Sequence, residues 1–381
     1  MPSIYLDYAA TTPCDPQVIA AMQAYFFEKF GNASSPHSFG RRSRKAMEEA
    51  RETLAAFLNA APAEIIFTSG ATEAHNQVIF GVARALKAKG RHVVVSAIEH
   101  HSILGPVKRL AAEGFEITFV LPNEKGLIDP AAVAAVLRPD TILVAVGHAN
   151  NEIGTLQDIA DLGRICRAQG VSFLVDAVQT VGHIPVNVKD LQCDFLSLSA
   201  HKFYGPQGVG ALYVRKGIAC DALLLGGDQE RGRRATTQNV PGIVGLGKAV
   251  ALCRTQMEQE AQTQSALRDV LIDGVLKSIP HAILNGHRQN RLPNNAHFSF
   301  ENINGEELVA ALDLSGIACS VGSACTSGQL EPSHVLKATG LSDRMALGSL
   351  RVTVGRWTTQ EDVQYFLEQL KIKADQLCKS A

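Results

Sequence analysis

The chain lacks any imbalance of charge: Lys and Arg number 36 against 37 Asp and Glu in 381 residues, a net charge of −1. So weak a field excludes bulk attraction to nucleic acid or to an anionic membrane as the basis of function. Long apolar runs are also missing. No stretch approaches the roughly 20 residues that a membrane-spanning helix needs. The first residues, Met1-Pro2-Ser3-Ile4-Tyr5-Leu6-Asp7, have neither the basic region nor the apolar core of a secretory leader. The eight cysteines (Cys14, Cys166, Cys193, Cys220, Cys253, Cys319, Cys325 and Cys378) include no pair at CxxC spacing. That argues against a zinc site or a redox dithiol, and for reduced thiols in a cytoplasmic protein. Internal repeats and low-complexity tracts are absent too.

What is present is alternation. Apolar runs at residues 65–68, 92–96, 116–120, 141–146, 172–175, 195–198 and 209–214 read as strands. Amphipathic stretches such as 73–89 and 102–113 lie between most of them. Short, nearly continuous apolar strands separated by helices predict an α/β fold, with a mostly parallel central sheet covered on both faces. Ligands of such sheets bind beyond the carboxyl ends of the strands. After Gly227 comes a polar, Arg-rich loop at 228–239, then a long helical stretch from 244 to about 278. Residues 281–381 read as a smaller α+β unit, with which the N-terminal arm is expected to pack. The expected division is a large unit at 13–250 and a small one made of 1–12 and 251–381.

Several strand ends carry reactive side chains. Lys202 in Ser199-Ala200-His201-Lys202-Phe203-Tyr204-Gly205-Pro206 sits between an apolar run and a turn. Desolvation there lowers an amine's pKa and frees it for Schiff-base chemistry; a snorkelling lysine is the alternative. Asp176, after the run 172–175, needs a cation or a hydrogen-bond donor. A protonated pyridine nitrogen is one such partner, and a turn cap is the other use. Ser69-Gly70-Ala71-Thr72-Glu73 opens a helix whose free N–H groups, with the Thr72 hydroxyl, can cradle a phosphate or serve only as an N-cap. Asp together with a Schiff-base Lys marks a pyridoxal phosphate site. In that scheme Lys202 takes the aldehyde and Asp176 the ring nitrogen, while Ala71, Thr72 and Ser199 or His201 hold the phosphate. His100 can lie on the ring and shuttle protons, or be an ordinary loop histidine. Cys325, in Ser320-Val321-Gly322-Ser323-Ala324-Cys325-Thr326-Ser327-Gly328, has little apolar cover. It reads as a thiol on a mobile, exposed loop or as an incidental surface cysteine. Arg351 alternates with apolar neighbours, and its fork suits an amino-acid carboxylate or a structural ion pair.

These residues, with Tyr5-Leu6-Asp7-Tyr8-Ala9-Ala10-Thr11-Thr12, Gly31-Asn32-Ala33-Ser34-Ser35, Asn150-Asn151-Glu152-Ile153-Gly154, Asp176-Ala177-Val178-Gln179 and Glu230-Arg231-Gly232, run nearly end to end. In that order they resemble the cysteine desulfurases, pyridoxal-phosphate-dependent members of the class V aminotransferase superfamily. The Gly-Ser-Ala-Cys-Thr-Ser loop resembles the iron–sulphur-assembly and nitrogen-fixation branch. The resemblance implies the aspartate aminotransferase-like transferase fold, fold type I. It also implies conversion of L-cysteine to L-alanine, with a persulfide left on Cys325 for a sulphur-acceptor protein. By the same resemblance Lys202, Cys325 and His100 are catalytic, and Asp176 keeps the ring nitrogen protonated. Asn151 and Gln179 would bond the phenolic oxygen. Asn32, Asn151 and Arg351 would hold substrate, and in a homodimer Thr237 would reach the neighbouring subunit's phosphate.

Two departures accompany the resemblance. Thr236 stands where the family usually has glycine, and the chain stops at Ala381 without the C-terminal extension many members use to dock the cluster scaffold. Delivery to that scaffold is thereby left open. Two alternatives remain: a selenocysteine or cystine lyase on the same fold, or a non-catalytic sulphur- or cluster-binding protein using Cys325 as an iron–sulphur ligand. A transient cluster ligand at Cys325 is compatible with the desulfurase as well.

Overall fold

The computed structural model describes residues 4–321 and 331–380. The first elements are β1 (Ile4–Tyr5), α1 (Pro16–Gln23) and α2 (Ser38–Leu58). Strands and helices then alternate: β2 (Ile65–Thr68), α3 (Ala71–Ala85), β3 (His92–Ser96), α4 (His101–Ala112), β4 (Glu116–Val120), α5 (Pro130–Val136), β5 (Thr141–Gly147), α6 (Ile159–Ala168), β6 (Ser172–Asp176), β7 (Phe195–Ser199) and β8 (Gly210–Val214). The 39-residue helix α7 (Val240–Ser278) leads to β9 (Ile283–Leu284), β10 (Asn295–Ser299), α8 (Gly305–Asp313) and β11 (Ile317–Ala318). Last come α9 (His334–Ala338), α10 (Asp343–Leu347), β12 (Ser349–Thr353) and α11 (Gln360–Ser380).

The strand order of the central sheet is β2-β8-β7-β6-β5-β3-β4. From β4 to β7 the neighbours are parallel, and β8 runs antiparallel to both of its partners. Alternation within a strand sends successive side chains to opposite faces. Val94 of β3 joins one buried cluster, while Val93 and Val95 join the cluster on the other face. Both faces are therefore filled, as the apolar runs predict. The parallel arrangement puts the carboxyl ends of β3, β5, β6 and β7 on one edge.

A third cluster joins Ile4 and Leu6 to residues of α8, β10, β12 and α11. Helix α7 belongs to both cores: Ile243, Leu246 and Val250 pack toward the central sheet, and Leu271, Ile272 and Val275 pack in the third cluster. Strand β1 pairs in parallel with β11. The arm beyond it is stitched to the turn after β7 by Thr12 N–H to His201 O (2.9 Å) and Tyr204 N–H to Thr12 Oγ1 (2.7 Å). No described helix is long and apolar enough to cross a membrane.

Candidate active site

A cavity of about 740 Å³ opens beyond the carboxyl edge of the sheet. It gathers Ala71, Thr72, His100, Asn151, Asp176, Gln179, Ser199, His201, Lys202 and Arg351 from segments far apart in the chain. Two expected residues are not among its lining: Asn32 and Thr237 are exposed, and the Asn32 carboxamide accepts the Ser34 N–H at 2.9 Å. Cys325 lies outside the described residues.

Strand β7 ends at Ser199 and passes into a 3-10 turn, Ala200–Lys202. Two residues on, Tyr204 has φ +64°, a left-handed backbone uncommon for a bulky residue. Packing holds it there. Its ring is fully buried, with the Arg356 guanidinium 4.0 Å from the ring centroid and Trp357 edge-on at 5.3 Å. The turn delivers Lys202 Nζ to two carbonyls of the arm, Ala9 O at 2.6 Å and Ala10 O at 2.8 Å. Burial, with Arg351 nearby, pushes its pKa down to about 8 against the opposing pull of Asp176 and Asp7. An amine so depressed is partly free base near neutrality.

Asp176 ends β6, the strand beside β7, and pairs in register with Ser197. Its Oδ1 accepts the Val178 N–H at 2.9 Å, and its Oδ2 lies 3.6 Å from His75 Nε2. His75 is a site residue that the motifs did not reveal. It is wholly buried, with Nε2 2.6 Å from Ser197 Oγ and Nδ1 2.8 Å from Ser102 Oγ. The Ser102 hydroxyl is in turn 2.8 Å from His100 Nδ1. Burial lowers the His75 pKa, favouring a neutral ring. His100 caps α4 by accepting the Ser102 N–H on Nδ1 at 3.1 Å. A neutral ring with an accepting Nδ1 carries its hydrogen on Nε2, so the cap itself selects that tautomer. Spacing held a clue to His75, because it shares the buried face of α3 with Val78, Ile79 and Val82. A polar residue on an apolar stripe needs a buried partner.

Two carboxyls were missed as well. Glu99 is buried; its Oε1 accepts the Gly147 N–H at 2.9 Å, and burial raises its pKa to about 8. Glu152 Oε2 accepts the Ser333 hydroxyl at 2.5 Å, tying the turn after β5 to the start of α9.

At the start of α3, Gly70 has φ +156° and leads into first-turn amides that no helical carbonyl can satisfy. The opening of β8 comes so close that a Cβ on Gly210 would lie 2.8 Å from Gly70 Cα and 2.5 Å from Leu198 O. Glycine is required there. His201 Nδ1 is 3.1 Å from Thr11 Oγ1, and burial lowers its pKa to about 4, leaving a neutral ring. The Gln179 amide donates to Ala9 O at 3.1 Å. Arg351 donates to Asp7 Oδ1 at 2.8 Å and to Asn151 O at 2.9 Å. The structural ion pair expected as one use of Arg351 is therefore made, while its buried Nε has no partner among the described residues.

Thr236, the residue at a position where glycine is usual in the resembled family, has φ +101°. A β-branched side chain is strained in that region. Thr236→Gly is expected to stabilise the protein by about 1 kcal/mol, the relieved strain exceeding glycine's entropy cost. Denaturant unfolding of the variant beside the parent checks this; an unchanged or lower midpoint would contradict it.

Residues 4–366 match the family model Aminotransferase class-V. The chain is 52% identical over 368 residues to cysteine desulfurase IscS of Dictyoglomus turgidum, covering 97% of this chain and 93% of that one. The chain belongs to the cysteine desulfurase family of class V aminotransferases. A desulfurase relative from Methanosarcina thermophila, also called IscS, is 48% identical over 366 residues, covering 96% and 90% of the two chains. Among solved structures, a NifS-like protein superposes with a TM-score of 0.92 at 36% identity, over 98% of this chain and 99% of the other. DndA from Streptomyces lividans gives 0.79 at 38% identity, over 92% and 99%. The fold is thus the α/β fold of the NifS-like proteins.

The desulfurase family implies pyridoxal phosphate, and the residues here fit that group. Lys202 is a buried amine held by carbonyls alone, with a lowered pKa. Asp176 keeps an oxygen whose nearest cationic candidate is a neutral-leaning histidine. Open amides stand at the start of α3.

Proposed function

We propose that this chain is a cysteine desulfurase, converting L-cysteine to L-alanine and leaving the sulphur on Cys325 as a persulfide. The observation that carries this is the juxtaposition of Lys202 and Asp176. A depressed amine and a carboxylate sit at the ends of adjacent parallel strands, lining one cavity. A cluster-binding protein without catalysis needs neither group.

Pyridoxal phosphate, when bound, supplies an electron sink that lets a Cα proton leave and a Cβ–S bond open. Lys202 would hold its aldehyde, and its amine would move the Cα proton. Asp176 keeps the pyridine nitrogen protonated. The Ala71 and Thr72 amides, the hydroxyls of Thr72 and Ser199, and His201 hold the phosphate, while Asn151 and Gln179 orient the phenolic oxygen. Asn32 and Arg351 bind the substrate carboxylate, with Asn151 also near the substrate. His100, once protonated, would serve as the proton donor. The Cys325 thiolate attacks the substrate sulphur: an S–S bond forms as the Cβ–S bond breaks, and the electron pair stays with the fragment that becomes alanine.

The persulfide then passes to an acceptor protein, for iron–sulphur clusters or another sulphur-containing cofactor. The working unit is a cytoplasmic homodimer in which Thr237 reaches the neighbour's phosphate. Each chain divides into a large unit at 13–250 and a small one at 1–12 and 251–381.

Borohydride reduction of the cofactor-loaded protein, followed by peptide mapping, is expected to leave one reduced adduct, on Lys202. Fully loaded protein with that peptide unlabelled would overturn the assignment. Turnover with cysteine, selenocysteine and cystine separates the desulfurase from a lyase. A preference for selenocysteine that survives Cys325→Ala would favour the lyase.

A further inference from the structure

The loop at 228–239 is bound to the start of α3 far more firmly than a surface loop needs. Glu230, itself at φ +48°, turns a buried carboxylate onto Arg51 at 2.7 and 2.9 Å. The same group accepts the Phe67 N–H at 3.0 Å, inside the strand that leads into Ser69 and Gly70. Four residues later the Arg234 guanidinium forks onto Glu73, Nε to Oε1 at 2.7 Å and a terminal nitrogen to Oε2 at 2.9 Å. One helical turn beyond Glu73, Gln77 donates to Arg233 O at 3.2 Å. Loop and helix are therefore joined by two contacts on one face of α3 and anchored by a third at β2.

Glu73 is the node of this arrangement. Its Oε2 also accepts the Ser69 N–H at 2.8 Å, so it shapes the turn that presents the open amides of Ala71 and Thr72. A carboxylate in the first turn suits the helix dipole but repels any other anion placed there. Only 12–13% of the Glu73 and Arg234 side chains is exposed, so solvent screens the pair poorly. Burial pushes the Glu73 carboxyl up, and Arg234 with Ser69 more than offsets this, holding it below the usual range. Without the guanidinium, the cradle would present an uncompensated negative charge to a phosphate dianion.

Resting on the pyridoxal phosphate reading above, we propose that Arg234 is a positioning residue for the cofactor phosphate, cancelling the Glu73 charge and strapping the 228–239 loop to the cradle. The strap also fixes the stem of the segment that carries Thr237, three residues further on.

The test uses apoprotein titrated with pyridoxal phosphate and, separately, with pyridoxal, which has no phosphate, following visible absorption. Arg234→Gln is expected to weaken pyridoxal phosphate about tenfold or more while pyridoxal stays within about twofold, the size of change an uncovered like charge produces. E73Q/R234Q removes both charges but keeps an amide oxygen for the Ser69 N–H, and is expected to recover to within about threefold of the parent. Arg234→Lys keeps the charge without the fork and should fall between the parent and R234Q. Should R234Q not fold, the double variant and R234K carry the comparison. A phosphate preference in R234Q equal to the parent's, or a double variant as weak as R234Q, would overturn the proposal. If R234Q is lost, a double variant or R234K weakened equally toward both compounds would do the same. Parent apoprotein that takes up neither compound would instead sink the cofactor reading itself.

Discussion

Lys202→Ala is expected to give a colourless protein whose alanine production from cysteine falls by about four orders of magnitude or more. Two roles would vanish together, because the proposed function gives the same amine both the cofactor's aldehyde and the Cα proton. No described neighbour can stand in: His201 points its Nδ1 at Thr11, and Asp176 faces His75. The parent offers a companion measurement. Burial, with Arg351 nearby, pushes its Lys202 down to about 8, and only the free base attacks an aldehyde. Capture of pyridoxal phosphate by the apoprotein should therefore rise with pH through about 8 and level off above it, whereas an exposed lysine would still be climbing at about 10. Capture that keeps climbing through pH 10 would show that the arm carbonyls and burial do not depress this amine.

Cys325→Ala is expected to keep the visible absorption of the lysine-bound cofactor and to release no alanine under turnover with cysteine, a loss of at least about a hundredfold. Five of the seven other thiols offer little rescue. Burial pushes Cys166, Cys193, Cys220, Cys253 and Cys319 up to about 12, so none supplies thiolate at neutral pH. Cys319, six positions before Cys325, is the nearest in sequence and is among those disabled. Alanine release at the parent's rate would remove the persulfide step, while a colourless variant would point to a lost fold.

The sheet was legible because its strands are buried on both faces. Runs such as 65–68, 92–96 and 116–120 coincide with β2, β3 and β4. Helix ends were less so. The long helix begins at Val240, four residues before the expected start, because Asn239 caps it through the Gly242 N–H and Pro241 suits the first turn. Lys202, Asp176 and the opening of α3 could be read because each follows an apolar run, where open sheets place ligands. The roles of His75, Glu99 and Arg234 could not be read. Each acts through a partner at least 48 positions away, across tertiary contacts that no local pattern records: His75 through Ser197, Glu99 through Gly147, Arg234 through Glu73. Asn32 and Thr237 mark the opposite limit, since motif resemblance named them and one chain's cavity does not include them.

The amine at the centre of the proposed chemistry is steadied by main-chain oxygens of Ala9 and Ala10 rather than by any described side chain. Alanine scanning is blind to such acceptors, because replacing a residue leaves its peptide oxygen in place. Mutational surveys will score this stretch as tolerant, and only removing it or sliding it by one residue would expose how much the nucleophile depends on it.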